Sequence, residues 1–281
     1  MSSVQTEPLP AALEPLPVGY RALFGRLLAA VREDERFRAF WLSGSLARGV
    51  ADAGSDLDVI IAVRDDEFET YAERWRDWLA TVTPVLLARQ IPDMPGSFYS
   101  LTSDCLRLDV VVEPVSRLAT TPFRRRIVVV DHDGLDAQVP APVDRAGPDL
   151  ERMAYLVEEF YRMLAIFPAA VLAREDCLLG ITGAQLNRQM LYDLFVQANQ
   201  PLPPMGVKQC SAKLTPEQRS VLEALPPLDV VPGVLIEAMR ATAEAWQTAG
   251  RSALEAAGVV WPAELAAATR AYFDDEVSRW V

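Results

Sequence analysis

The sequence predicts an α/β (α+β) protein: a mixed sheet of five or six strands with flanking helices over residues 1–140, followed by an all-helical domain over 149–281. Three observations carry this expectation. Apolar runs of strand length recur through the first half, among them Phe40-Trp41-Leu42, Leu57–Val63 and Ile127–Val130. From Asp149 onward, apolar residues instead fall at three- and four-residue spacing. Between the two regimes, Pro140-Ala-Pro142 through Gly147-Pro148 supplies the turn residues of a linker. A chain of 281 residues, 51% hydrophobic, can bury a substantial core in each of two domains.

In order, the first 17 residues are acidic and proline-rich and read as disordered. Val18 to Arg32 then places Leu23, Leu27, Leu28 and Val31 on one face of a helix that backs the sheet. Strand one follows at 38–42 and strand two at 57–63. A helix over 66–82 opens on Asp65-Asp66-Glu67 and carries Phe68, Tyr71, Trp75, Trp78 and Leu79 as a core stripe. Strands at 84–90, 98–102, 106–113 and 127–131 complete the sheet. In the run from 106 to 113, Leu106, Leu108, Val110 and Val112 point one way, and Arg107, Asp109, Val111 and Glu113 the other. Arg124-Arg125-Arg126 reads as a solvated strand start, and Asp131-His132-Asp133-Gly134 as a turn. That quartet opens like a calcium loop but has Leu135 at the next ligand position, and His132 lacks a partner serine or cysteine motif.

The second half predicts a helix from 149 to Phe167 ended by Pro168, a second reaching about Gly180, and a longer one over 182–198. Further helices follow at 216–225, 232–250 and 262–280. Glu158 and Glu159, on the helix from 149 to Phe167, are solvated or clamp a substrate.

Chemistry concentrates in Trp41–Val63, where a glycine-serine turn and two carboxylates stand where two strands meet. Asp56 and Asp58, two apart at the mouth of a strand, lean the same way with Cα atoms about 6.5–7 Å apart. Such carboxylates repel unless a cation lies between them, and Mg²⁺, a hard ion with oxygen ligands at about 2.0–2.1 Å, suits them. The Gly44-Ser45 turn offers backbone N–H groups and a hydroxyl to a phosphate. A metal beside a phosphate points to nucleotide chemistry. Asp109, a carboxylate inside an otherwise apolar strand, is costly there without a charged partner. Arg107 is the nearest one in sequence.

Gly44-Ser45, Arg48-Gly49 and Ser55-Asp56-Leu57-Asp58, in that order, resemble the G-S, spacer, S-D-x-D signature of the DNA polymerase beta-like nucleotidyltransferase superfamily. The family's third carboxylate lies on a later strand, and Asp109 matches it. The second half resembles the helical domain of the nucleotidyltransferases that adenylylate streptomycin-type aminoglycosides. The resemblance implies transfer of AMP from ATP to a hydroxyl of a small molecule. Asp56 and Asp58 would hold two Mg²⁺ ions, and Asp109 would bind the second and take the hydroxyl's proton. Gly44, Ser45, Arg48 and Ser55 would hold the nucleotide. Lys208 and Lys213, the only lysines among 27 basic residues, stand in a run resembling a segment of that helical domain in which a lysine approaches the triphosphate. Cys210 stands there in place of a larger aromatic, and two surface lysines before a helix fit the same residues. Two other readings are an idle, nucleotide-sensing regulator and a lincosamide nucleotidyltransferase.

Net charge is −12, with 16 basic against 23 acidic residues over 1–149 and 11 against 16 over 150–281. Neither half has the basic excess that a nucleic-acid polymer demands. An acidic cleft favours a cationic acceptor such as an aminoglycoside over a neutral lincosamide. The chain lacks an apolar window long enough to span a membrane and a basic, apolar signal peptide, so a cytoplasmic protein is expected. Cys105, Cys177 and Cys210 are too few and too scattered for a disulfide framework or zinc site, and read as buried free thiols.

Overall fold

A computed structural model describes residues 9–120, 125–142 and 147–280. The chain divides into two compact units, Met1–Asp144 with Pro204–Lys208, and Arg145–Pro203 with Gln209–Val281.

Among the described residues the first unit holds six strands: β1 (Phe37–Leu42), β2 (Leu57–Val63), β3 (Val85–Gln90), β4 (Ser97–Thr102), β5 (Arg107–Pro114) and β6 (Ile127–Asp131). They form one mixed sheet in the order β3-β4-β5-β2-β1-β6. Only β2 and β5 run parallel; the other pairs are antiparallel. A parallel pair needs a long crossover, and here it consists of a helix over Phe68–Val82 and the β3–β4 hairpin.

The period-2 rule assigns the two faces of the sheet. Leu57, Val59, Ile61 and Val63 of β2 and Leu108, Val110 and Val112 of β5 are buried against α1 (Val18–Glu33) and the Phe68–Val82 helix. Leu23, Leu27, Leu28 and Val31 are buried on α1, as their spacing predicts. Phe68, Tyr71, Trp75 and Leu79 are buried and Trp78 packs against them. Trp75 stacks on Phe98 at 5.3 Å and donates its indole N–H to Ser100 Oγ at 3.2 Å, so its one polar atom is satisfied. The opposite face carries a smaller cluster of Ala39, Trp41, Ile60, Ala62, Leu118 and Leu135.

The second unit is helical: helices at Leu150–Phe167, Cys177–Ala198, Pro216–Glu223, Pro232–Ala245, Arg251–Ala256 and Ala263–Val277 enclose their own core around Phe160, Tyr161, Phe195 and Trp246. Asp149 caps the first of these by accepting from Arg152 N–H at 2.9 Å. Thr215 and Gln218 form a capping box on the Pro216 helix. Glu159 pairs with Arg162 at 2.5 Å, and Glu158 is exposed.

Several expectations are corrected. Leu13 and Leu16 are buried in the sheet core, so the reading of disorder fails for residues 9–17; residues 1–8 lie outside the described set. The helix break expected near Gly180 lies instead at residues 173–176: Pro168 opens a π-helical turn continuing the first helix, and Asp176 caps the next by accepting from Leu179 N–H at 3.0 Å. Gly180 sits inside that helix because Leu235 and Val171 press against it; a Cβ there would lie 2.8 Å from each. The helix expected over 232–250 runs on through a second π-helical turn at Trp246–Gly250 into Arg251–Ala256. Arg126 is not solvated: its Nε donates to Asp136 Oδ1 at 2.6 Å, and Trp41 Nε1 donates to the same oxygen. Arg124 and residues 143–146 of the expected linker lie outside the described residues. The cysteines are free, but Cys105 and Cys210 are exposed because both sit in loops. Among the described residues no helix is long and apolar enough to cross a membrane.

Candidate active site

The site is built where β1 ends and β2 begins. Ser43 donates its backbone N–H to Asp58 O at 2.9 Å, and the chain turns at once into a four-residue helical turn, Gly44–Ala47. Gly44 has φ +59°, a conformation that penalises side chains, and a Cβ on it would fall 1.7 Å from Asp58 Oδ2. The glycine is therefore required twice, by the turn and by the carboxylate that its backbone touches.

Asp58 and Asp109 are register partners on the parallel β2–β5 pair. Neighbouring strands lie about 4.8 Å apart, so the two side chains stand side by side. Both point to the face that the helices leave uncovered, shared with Ile60, Ala62 and Val111. Asp56, two residues before Asp58, carries its charge to the same place: it raises the pKa of both other carboxyls. Burial is the larger cause at each. Asp58 is pushed up to about 6 by desolvation, then by Asp56 and Asp109. Asp109, though exposed at the surface, is raised by desolvation and Asp56, with Lys208 and Arg107 opposing.

Asp56 is the member with cations. Lys208 Nζ lies 2.6 Å and Arg107 Nη1 3.3 Å from its Oδ2. Arg107 thus pairs with Asp56 while its charge also reaches Asp109 on its own strand, and its Nη2 donates to Gly54 O at 2.8 Å. The loop carrying Asp56 is stiffened further. Asp52 Oδ1 accepts from Gly54 N–H at 3.0 Å and from Ser55 Oγ at 3.1 Å, and Ser55 Oγ accepts from Asp52 N–H at 3.0 Å.

Among the described residues, no three His, Cys, Asp or Glu side chains close to metal-ligating distance. Asp56 leans instead on Lys208 and Arg107. The donor set fits a hard divalent cation: three carboxylates on one face, two of them with pKa values raised by burial and by Asp56. A phosphate has its own provision. Ser45 Oγ and Arg48 Nε are buried without a hydrogen-bond partner in the protein, which native structures rarely leave unmet. Arg48 also lines, with Ser43, Gly44, Asp58 and Asp109, a cavity of about 460 Å³.

The sequence-predicted residues divide accordingly. Gly44, Ser45, Arg48, Asp56, Asp58, Asp109 and Lys208 belong to the same unit, with Gly44, Arg48, Asp58 and Asp109 on one cavity wall. Ser55 spends its hydroxyl on Asp52. Lys213 belongs to the helical unit, where its backbone O accepts from Asn199 Nδ2 at 2.8 Å. Two residues carry more than the sequence suggested. Arg107 anchors Asp56, and Arg125, from the run read as a solvated strand start, lines the cavity. The alternation of β5 put Arg107 on the carboxylate face; no sequence signal marked Arg125.

Residues 25–88, which include Gly44, Ser45, Arg48, Asp56 and Asp58, match the family model described as a nucleotidyltransferase domain. This stretch is a nucleotidyltransferase domain. Nucleotidyl transfer is therefore the general chemistry of the enzyme. No curated protein sequence matches the chain. Among solved structures it is similar to an aminoglycoside 6-adenyltransferase from Bacillus subtilis, at 17% identity and TM-score 0.42, covering 95% of this chain and 99% of that one. It is also similar to the Thermotoga maritima CCA-adding enzyme complexed with tRNA, at 11% identity and TM-score 0.35, covering 93% and 68%. A third likeness is to the CdnE cyclic dinucleotide synthase of Elizabethkingia meningoseptica, at 10% identity and TM-score 0.26, covering 84% and 81%.

Two measurements test this geometry. Gly44→Ala is expected to displace the Asp58 carboxylate and abolish nucleotide binding in calorimetry, while costing about 1–3 kcal/mol of stability from the left-handed backbone. Retained binding would contradict the contact. In metal-free protein, Asp58→Asn is expected to raise stability near pH 7 by about 1–3 kcal/mol, because a carboxyl with a raised folded pKa stabilises only while protonated. The sign follows from the shift: the gain is large above about pH 6 and vanishes as pH falls through 4. Thermal unfolding with a chelator at both pH values reads it; a variant no more stable at pH 7 would contradict the unbalanced charge.

Proposed function

We propose that the protein is a Mg²⁺-dependent adenylyltransferase that moves AMP from ATP to a hydroxyl of a cationic small molecule of the aminoglycoside type. The observation that carries the reading is the Asp58–Asp109 register pair beside Asp56, opening on the cavity that the Gly44 turn also lines. Asp56, Asp58 and Asp109 would hold the metal, two ions as the family resemblance implies, which would neutralise charge on the triphosphate and lower the pKa of the acceptor hydroxyl.

The chain's own groups account for the remaining work. The Gly44 turn and Arg48 line the cavity, and Ser45 and Arg48 bring polar atoms with no protein partner, so they grip the outer phosphates. Ser55 is committed to its loop, which leaves the phosphate grip to those three. Lys208 adds a point charge for the triphosphate. Asp109, beside the acceptor hydroxyl that the metal would acidify, accepts its proton. The hydroxyl oxygen bonds to the α-phosphorus and pyrophosphate leaves with the bridging oxygen. An acceptor carrying ammonium groups is favoured by the net charge of −12. ATP as donor and three free cysteines favour the cytoplasm.

Incubation with Mg²⁺ and ATP and a panel of aminoglycosides and lincosamides is expected to yield an acceptor heavier by one adenylyl group, read by mass spectrometry. Asp109→Asn is expected to slow that turnover by about 10²–10⁴-fold. Nucleotide binding without transfer to any acceptor would replace this reading by that of an idle regulator.

A further inference from the structure

We propose that Lys208 is a displaceable internal counter-ion of Asp56: in the nucleotide-free protein its ammonium competes with the divalent cation for that carboxylate, and it yields the carboxylate when metal and nucleotide arrive together. The inference rests on the reading of Asp56 as a metal ligand.

Asp56 Oδ2 faces two cations of different permanence. Arg107 lies on strand β5 and is tied down a second time through Gly54 O at 2.8 Å, so it moves only with the loop it braces. Lys208 reaches the same oxygen at 2.6 Å from a five-residue stretch, Pro204–Lys208, that packs with the sheet unit although the chain before and after it belongs to the helical unit. The lysine side chain is 65% exposed and the Asp56 side chain 13%, so the ammonium can withdraw into water at little cost while the carboxylate cannot follow.

The lysine ammonium and a divalent ion compete for this carboxylate. A divalent ion binds carboxylate oxygen at about 2.0–2.1 Å, and an ammonium held on that same oxygen would stand against a double positive charge at very short range. Each cation therefore weakens the other's hold on the carboxylate, and metal alone binds against the lysine's charge. A metal–nucleotide complex meets no such barrier, because its triphosphate offers the displaced ammonium a new anion within reach of the same stem. Lys208 is thereby a penalty on bare metal and a contact for the loaded nucleotide, and it biases the site toward taking both together.

The two roles have opposite signs, which a purely structural lysine would not reproduce. Mn²⁺ serves as the metal probe, titrated by electron paramagnetic resonance into the full-length protein, with and without a non-hydrolysable ATP analogue. Lys208→Met is expected to bind Mn²⁺ about threefold to fivefold more tightly without nucleotide, the range set by a partly exposed ion pair. The same variant is expected to bind the Mn²⁺–analogue complex more weakly. In an Asp56→Asn background, Lys208→Met is expected to leave the metal affinity without nucleotide unchanged. Unchanged or weaker Mn²⁺ binding by Lys208→Met overturns the proposal, as does equal tightening in the Asp56→Asn background. An enzyme that binds Mn²⁺ and transfers AMP yet shows either result loses the counter-ion exchange and keeps its proposed function. Absence of Mn²⁺ binding in wild type and variant alike removes both.

Discussion

Like-charge repulsion between two carboxylates on adjacent parallel strands is the constraint on which the rest of this site turns. Asp58 and Asp109 are locked opposite each other by the β2–β5 register, and neither strand can slide by one residue without sending its apolar set to the wrong face. The sheet therefore cannot relieve the repulsion by moving. It leaves the two carboxyls side by side, each with a pKa raised first by burial and then by the charge of Asp56, and a cation between them relieves both. Repulsion stored in this way disposes the site to bind metal and phosphate together.

The remainder of the first unit serves that arrangement. One face of the sheet is filled by α1 and the Phe68–Val82 helix with their aromatic packing, and this burial pins the strands. The other face has too small an apolar cluster to close over β2 and β5, so the carboxylates keep an opening of about 460 Å³. Gly44 lets the backbone approach Asp58 more closely than any side chain would allow, which brings the turn, the buried Ser45 hydroxyl and Arg48 to the same place as the charges.

Much of this was legible because it depends on short-range periodicity. Alternation along residues 106–113 is enough to put Asp109 on the face opposite Leu108 and Val110, and the two-residue spacing of Asp56 and Asp58 is enough to aim them together. Strand order is not short-range, and so the sequence did not show that Arg107 reaches Asp56: the parallel pairing of β5 with β2 brings the two together. The same holds for Arg126, whose burial depends on Asp136 ten residues away, and for Lys208, whose carboxylate lies 152 residues earlier. In the helical unit, Pro168 and Gly180 looked like stops by propensity. The α-helix does end at Phe167, with a π-helical turn continuing from Pro168, whereas tertiary packing on Gly180 overrode the second stop.

A crystal structure grown with Mn²⁺ and a non-hydrolysable ATP analogue tests the central claim most directly, through the anomalous signal of the metal. The account predicts metal density between Asp56, Asp58 and Asp109, with the outer phosphates on the Gly44 turn and Arg48. Metal bound elsewhere, or a nucleotide held with the three carboxylates still unligated, would contradict it.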